Sequence, residues 1–203
     1  MEASIYGEHE KELHRVMEDM IRRIDALRSM LTAERGMDPI EHVEGRVKSD
    51  ESMRAKCRRL ELQETAENAL GEIFDAIGIR IVCAFINDIY VIRDHIASFD
   101  GISIIREKDY VKNAKDNGYR SYHMILKTED GYHVEIQLRT ISMDTWAALE
   151  HHMRYKKVLP GNRELIGREL KRCADELAST DVSMQAIRDL IDSSAKEGDQ
   201  QGL

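Results

Sequence analysis

The sequence predicts an α+β fold: a mixed, mainly antiparallel β-sheet packed with helices and carrying helical extensions at both ends. Three observations carry that prediction. Residues 121–128 and 132–140 alternate like strands around Glu129-Asp130-Gly131, whose Asp-Gly step is a strong hairpin signal. Two further strand-like runs, 79–85 and 102–108, precede the hairpin. Apolar stripes of helical period stand near both ends of the chain.

Taken in order, residues 8–35 carry Leu13, Val16, Met17, Met20, Ile21, Ile24, Leu27, Met30 and Leu31 in a helical repeat with an apolar stripe, which Gly36 ends before an Asp38-Pro39 turn. Residues 40–48 read as a short extended piece. Ser49 then caps a helix with Asp50 and Glu51 in its first turn, running to Leu60 or beyond, and a short helix covers 64–69. In the strand 79–85, Ile79, Ile81, Cys83 and Phe85 share one face, with Arg80, Val82 and Ala84 on the other. An arginine on that second face needs an anionic partner or an exit to water. Asn87 or Asp88 caps a helix to about Ser98, and residues 109–117 form a polar loop after the strand 102–108.

In the hairpin's second strand, Tyr132, Val134, Ile136 and Leu138 alternate with His133, Glu135, Gln137 and Arg139. Closure without a bulge puts Gln137 opposite His123, Glu135 opposite Ile125 and Arg139 opposite Ser121, so one face carries the polar set together. Ser142 caps the next helix, which bears Trp146, Leu149 and Met153 and is broken by Pro160-Gly161. Asn162 opens a long helical region with an interruption expected at 179–183. Three parts follow: an N-terminal helix (1–36), a central α+β domain (37–158) and a C-terminal helical region (159–203) that, with the first helix, is the natural candidate for self-assembly.

With 42% hydrophobic and 33% charged residues, the composition is that of a helix-rich soluble protein, and a net charge of −8 argues against general affinity for long nucleic acid. No apolar run is long enough to span a bilayer and the start lacks the pattern of a secretory leader, so a cytoplasmic location is expected. Cys57, Cys83 and Cys173 are odd in number and far apart, which reads as reduced thiols. A nucleotide site must make its own positive field, and residues 45–59 supply one: Arg46, Lys48, Arg54, Lys56, Arg58 and Arg59 against Asp50 and Glu51. Glu150-His151-His152 does not match the H-E-x-x-H zinc pattern, and adjacent histidines on a helix face different ways.

By itself the hairpin's polar face is also what the solvated side of an antiparallel sheet looks like. Gly118-Tyr119-Arg120 at its entrance adds an aromatic beside a guanidinium, where a base could stack and a phosphate be gripped. NGYRSYH, then VEIQLRT, then W-x-x-x-E-H-x-x-x-Y-K resembles the synthetase domain of the RelA/SpoT family, over roughly residues 38–156 and most like the small alarmone synthetases of the RelQ type. The resemblance implies a nucleotidyltransferase-like sheet and a GTP pyrophosphokinase that moves the pyrophosphate of ATP to the 3′-hydroxyl of GDP or GTP. No His-Asp dipeptide of the family's hydrolase domain is present, so synthesis without hydrolysis is expected.

The resemblance also implies roles. HVEGRVKS-x-x-S-x-x-x-K is similar to the ATP-binding segment, giving Arg46, Lys48, Ser52 and Lys56 to ATP. DAIGIR is similar to the family's DIAGxR, with the two residues after the acid exchanged; it gives Asp75 to Mg²⁺ and Arg80 to ATP phosphate. Tyr119 stacks on guanine, His123 and Gln137 line the acceptor pocket, and Asn117, Arg120, Lys112 and Lys115 assist around the acceptor. Asp75 and Glu135 form the catalytic pair over Mg²⁺, with Glu135 also able to serve as general base. A homotetramer is implied, with pppGpp or RNA as regulators, although the region before Asp38 matches loosely, Arg28 being among few shared positions. The competing readings are a transferase with another acceptor (an adenine nucleotide, GMP or a tRNA end) and a non-catalytic alarmone or RNA sensor.

Overall fold

The computed structural model describes residues 4–155 and 162–201. After a single helical turn (Gly7–His9) come α1 (Glu10–Arg35), β1 (Ile40–Val47), α2 (Asp50–Arg59), α3 (Ala66–Gly71), β2 (Ile77–Cys83) and α4 (Ile86–Ala97). The chain continues through β3 (Ile102–Asp109), β4 (Tyr122–Thr128), β5 (His133–Thr140), α5 (Ile141–Tyr155) and α6 (Arg163–Gln201).

One five-stranded sheet runs in the order β1-β2-β5-β4-β3. Its pairs are antiparallel except β2 with β5, which run parallel. A parallel neighbour requires a long crossover, here supplied by α4, β3 and β4. The hairpin register is the expected one, with His123 opposite Gln137 and Ile125 opposite Glu135. The parallel pair then sets Gly78 beside Glu135 and Arg80 beside Gln137.

Strand alternation separates the faces. Ile77, Ile79, Ile81, Val134, Ile136 and Leu138 are buried in a core shared with α1 and α4. Fully burying such side chains contributes about 1.5–3 kcal/mol each, which is what fixes the register. The opposite face carries Arg80, His123, Glu135, Gln137 and Arg139, and α5 crosses over it. Helix α1 buries Leu13, Val16, Met20, Ile24, Leu27 and Leu31 of the predicted stripe, packs Met17 and Ile21 half-buried against the same core and leaves Met30 exposed, and Gly36 closes it in the left-handed conformation at φ 70°.

Several local expectations are corrected. β2 begins at Ile77 rather than 79, because its pairing with both neighbours extends to that residue. The cap of α4 is Phe85; Asp88 lies inside the first turn, fully buried, and accepts the Phe85 N–H at 3.2 Å. Its carboxylate is held by Arg188 of α6 at 2.8 Å and by Arg35 of α1 at 3.3 Å. Thr140, not Ser142, opens α5, its hydroxyl accepting the Met143 N–H at 3.2 Å. Helix α6 runs unbroken through 179–183, with Thr180 and Ser183 donating their hydroxyls to carbonyls one turn back, at 3.1 and 3.0 Å, rather than competing for the helix's own backbone N–H groups. The break expected at Pro160-Gly161 lies outside the described residues. No helix among the described residues is long and apolar enough to cross a membrane.

Candidate active site

Between the polar face of the sheet and the crossing helix α5 lies a cavity of about 550 Å³, within the roughly 300–1,000 Å³ of ligand clefts. Strands β1 and β2 and the turn before β2 give it Arg46, Lys48, Asp75 and Arg80. β5 gives it Glu135, Gln137 and Arg139, and the loop before β4 gives it Tyr119. The two acids proposed from sequence therefore line one cavity, although 60 positions separate them along the chain.

One wall is cationic. Lys56 Nζ lies 2.6 Å and Lys48 Nζ 3.2 Å from the same oxygen, Asp75 Oδ2. The other oxygen, Oδ1, is buried with no hydrogen-bond partner among the described residues. A buried anionic oxygen without a donor is costly, and a cation entering the cavity satisfies it. Among the described residues no group of three or more His, Cys, Asp or Glu side chains converges on a metal. That donor set fits Mg²⁺, which takes one or two carboxylates and completes its shell with water and phosphate oxygens. Arg80, whose need for an anion was foreseen, pairs with Glu44 and lies 3.3 Å from Asp144.

The other wall is a ring of polar contacts. Gln137 Nε2 donates to Glu135 Oε2 at 3.0 Å, and Gln137 Oε1 accepts from Arg139 Nη2 at 2.8 Å. Arg139 Nη2 also donates to the Tyr119 hydroxyl at 2.9 Å. Tyr119 Oη and His123 Nε2 are 2.9 Å apart, and His123 Nδ1 lies 3.5 Å from Glu135 Oε1. Burial pulls the Glu135 carboxyl up, but His123, Gln137 and the charge of Lys56 outweigh it and hold the group below its ordinary value. Glu135 is thus an anion near neutral pH.

Gly118 makes the turn into this wall. Its φ is +91°, and a Cβ there would stand 2.6 Å from the Ala174 Cβ of α6, so close backbone approach and left-handed geometry both require glycine. Asn117 supports the same turn, its Oδ1 accepting the Tyr119 N–H at 3.1 Å. Lys115 Nζ lies 4.7 Å from the centre of the Tyr119 ring, beside the site.

Four residues given polar-face or ligand roles lie elsewhere. Arg120 points to the opposite side from Tyr119, where it donates to the Val111 carbonyl at 3.2 Å and pairs with Asp175 of α6 at 3.3 Å. Ser121 is fully buried and donates to the Leu138 carbonyl at 3.2 Å, so it does not share the polar face. Lys112 turns toward α4, with Nζ 4.7 Å from the Tyr90 ring. Ser52 remains in the cap of α2, 2.8 Å from the Ser49 hydroxyl; it does not line the cavity, and neither do Lys56 and His123, which reach it only through their contacts with Asp75 and Glu135. Sequence reasoning missed Asp144, which grips Arg139 at 2.9 Å, and it set aside Glu150, His151 and His152, which form the helical wall of the cavity. The signal for Asp144 was its place in the first turn of a helix that follows Arg139 directly.

The sequence pattern of the region found in RelA/SpoT proteins matches residues 45–159. GTP pyrophosphokinase YwaC of Bacillus subtilis is 37% identical over 164 residues, covering 77% of this chain and 78% of that one. GTP pyrophosphokinase YjbM of the same organism is 32% identical over 180 residues, covering 85% and 83%. The crystal structure of small alarmone synthetase 1 from Bacillus subtilis bound to its product pppGpp superposes with a TM-score of 0.76 at 29% identity, covering 89% of this chain and 94% of that one. Sequence, sheet and cavity agree: the chain belongs to the RelA/SpoT family, among its small alarmone synthetases, and is an enzyme of the GTP pyrophosphokinase class.

Proposed function

We propose that the cavity binds ATP against its cationic wall and GDP or GTP against its tyrosine wall, and transfers the β,γ-pyrophosphate to the guanosine 3′-hydroxyl, giving ppGpp or pppGpp and AMP. The observation that carries this reading is the division of the two acids. Asp75 sits among the lysines, where polyphosphate belongs, whereas Glu135 sits in the ring that contains Tyr119.

Lys48 and Lys56 exchange Asp75 for phosphate oxygens when ATP enters, while Arg46 and Arg80 lie along the same wall. Tyr119 supplies a planar surface for the purine, a contact worth on the order of 1–3 kcal/mol in nucleic-acid sites. Glu135, ionised and fixed by His123 and Gln137, accepts the hydrogen bond of the 3′-hydroxyl and takes its proton as the oxygen attacks the β-phosphorus. The bond from that phosphorus to the α,β-bridging oxygen breaks, and AMP departs with the oxygen. Asp75 and Glu135 are the residues that would hold Mg²⁺, which when bound spreads the charge of the polyphosphate. Holding both substrates in line supplies much of the remaining rate.

The test is chromatography of mixtures of the protein, Mg²⁺ and ATP with GDP, GTP, GMP, ADP or tRNA in separate tubes. AMP together with a slower-migrating guanine nucleotide is expected with GDP and GTP. AMP formation only with an adenine acceptor, GMP or tRNA moves the chain to a sister transferase, and binding of guanine nucleotides without turnover makes it a sensor.

Assembly into a homotetramer belongs to the same proposal. It draws support from Val182, Ile187, Leu190 and Ile191, exposed apolar side chains on α6. Light scattering during gel filtration measures the mass directly. Regulation by pppGpp or RNA belongs to the same proposal; Arg28, the shared position before Asp38, pairs with Asp38 at 2.6 Å and stands near the Glu41 carbonyl.

A further inference from the structure

We infer that Arg139, fastened by Asp144, is a positioning residue that sets the purine shelf and the reacting carboxylate together; the inference rests on the pyrophosphokinase reading above. Arg139 is only 7% exposed, and a guanidinium so far removed from water needs an anion. Asp144, in the first turn of α5, is that anion: its Oδ1 lies 2.9 Å from Arg139 Nη1 and also 3.3 Å from Arg80 Nε. Held on that side, Arg139 directs Nη2 at two acceptors, the Tyr119 hydroxyl at 2.9 Å and Gln137 Oε1 at 2.8 Å.

Arg139 and Glu135 stand at opposite ends of this ring. Arg139 can only donate and the Glu135 carboxylate can only accept. Between them run two routes, one through the Gln137 amide and one through the Tyr119 hydroxyl and the His123 imidazole. The Gln137 amide accepts from Arg139 and donates to Glu135, and Arg139 also donates to the Tyr119 hydroxyl, whose neighbour His123 stands beside Glu135, so the arginine bears on the tyrosine, the amide and the carboxylate at once. Arg139 Cζ is also 5.3 Å from the centre of the Tyr119 ring, which holds the ring by its face as well as by its hydroxyl. No other cation among the described residues touches both routes.

The experiment is a double-mutant cycle on the full chain with Arg139→Lys and Tyr119→Phe, reading kcat and the KM of each nucleotide. Lysine keeps the charge and so keeps any direct attraction to phosphate, but it loses the fork. Phenylalanine keeps the stacking surface and loses only the relay hydroxyl. Arg139→Lys is expected to raise the acceptor KM and lower kcat, each by about tenfold, as loss of a charge-assisted hydrogen bond implies, with ATP KM changed by less than about twofold. In the Tyr119→Phe background the same substitution is expected to cost the acceptor KM little more.

Fully multiplicative effects, or an unchanged acceptor KM in Arg139→Lys, overturn the inference. If Arg139→Lys does not fold, Tyr119→Phe alone decides: a rise of about fivefold or more in acceptor KM supports the relay, and no rise overturns it. A wild-type chain that makes no pyrophosphorylated guanine nucleotide sinks the underlying reading instead, and that control separates the two failures.

Discussion

Lys56 Nζ rests 2.6 Å from Asp75 Oδ2, so the cation expected to meet the ATP polyphosphate is already neutralised by the acid expected to meet the metal. The pair stores both groups in register before substrate arrives, and binding swaps partners rather than uncovering bare charges. Asp75→Asn removes one side of that exchange. It is expected to shift the Mg²⁺ activation midpoint upward by about tenfold or more, measured as AMP release over a metal titration at saturating nucleotides; an unchanged titration places the ion elsewhere.

Glu135→Gln keeps the size of the side chain and loses its charge. Turnover is expected to fall by at least about a hundredfold, the usual scale for losing a positioned base, while ATP binding measured by calorimetry stays within about threefold. Near-normal AMP release from this variant would remove Glu135 from the chemistry.

Tyr119→Ala deletes the shelf. The KM for GDP is expected to rise roughly tenfold or more, as base–aromatic stacking energies imply, and the KM for ATP much less. Equal increases for both nucleotides count against the shelf.

Gly118→Ala tests the buttress between the tyrosine turn and α6. The new Cβ meets Ala174 at 2.6 Å and the backbone of Lys171 at 3.3 Å, at a φ of +91° that alanine resists. A loss of about 2–4 kcal/mol in urea-unfolding free energy is expected from strain and overpacking together, and wild-type stability would show that α6 yields there without cost.

Acid sensitivity follows from Glu107. Arg93 grips its carboxylate at 2.7 and 2.5 Å and, against the pull of burial and with help from Tyr122, holds it below its ordinary 4.5. A carboxyl depressed by folding stabilises the native state above the unfolded value, and that contribution fades as pH falls through the folded value. Glu107→Gln is expected to be less stable than wild type near pH 6 and to lose less between about pH 5 and pH 3. Parallel urea midpoints for the two proteins across that window check the sign.

Much of the site could be read from the chain because hairpins are local. The alternation through β5 and the Asp130-Gly131 turn determine which side chains face each other, and His123 stands opposite Gln137 as that pattern requires. The parallel pairing of β2 with β5 left no such trace, since period-two alternation looks the same whichever way the neighbour runs. Arg120 and Ser121 were misplaced because the turn at Gly118 precedes β4 and strand alternation does not extend into it. Asp144 escaped notice because an acid in the first turn of a helix is ordinarily explained by the helix dipole alone.

The side-by-side run of β2 and β5 has a consequence for how the enzyme comes into being. The cavity that Asp75 and Glu135 line does not exist until strands separated by the whole α4–β4 excursion have joined, the kind of distant closure that makes folding slow. A growing chain that has not yet delivered β5 therefore holds its lysines and Asp75 but no means of transfer, and competence to make a signalling nucleotide arrives in one step with the finished sheet.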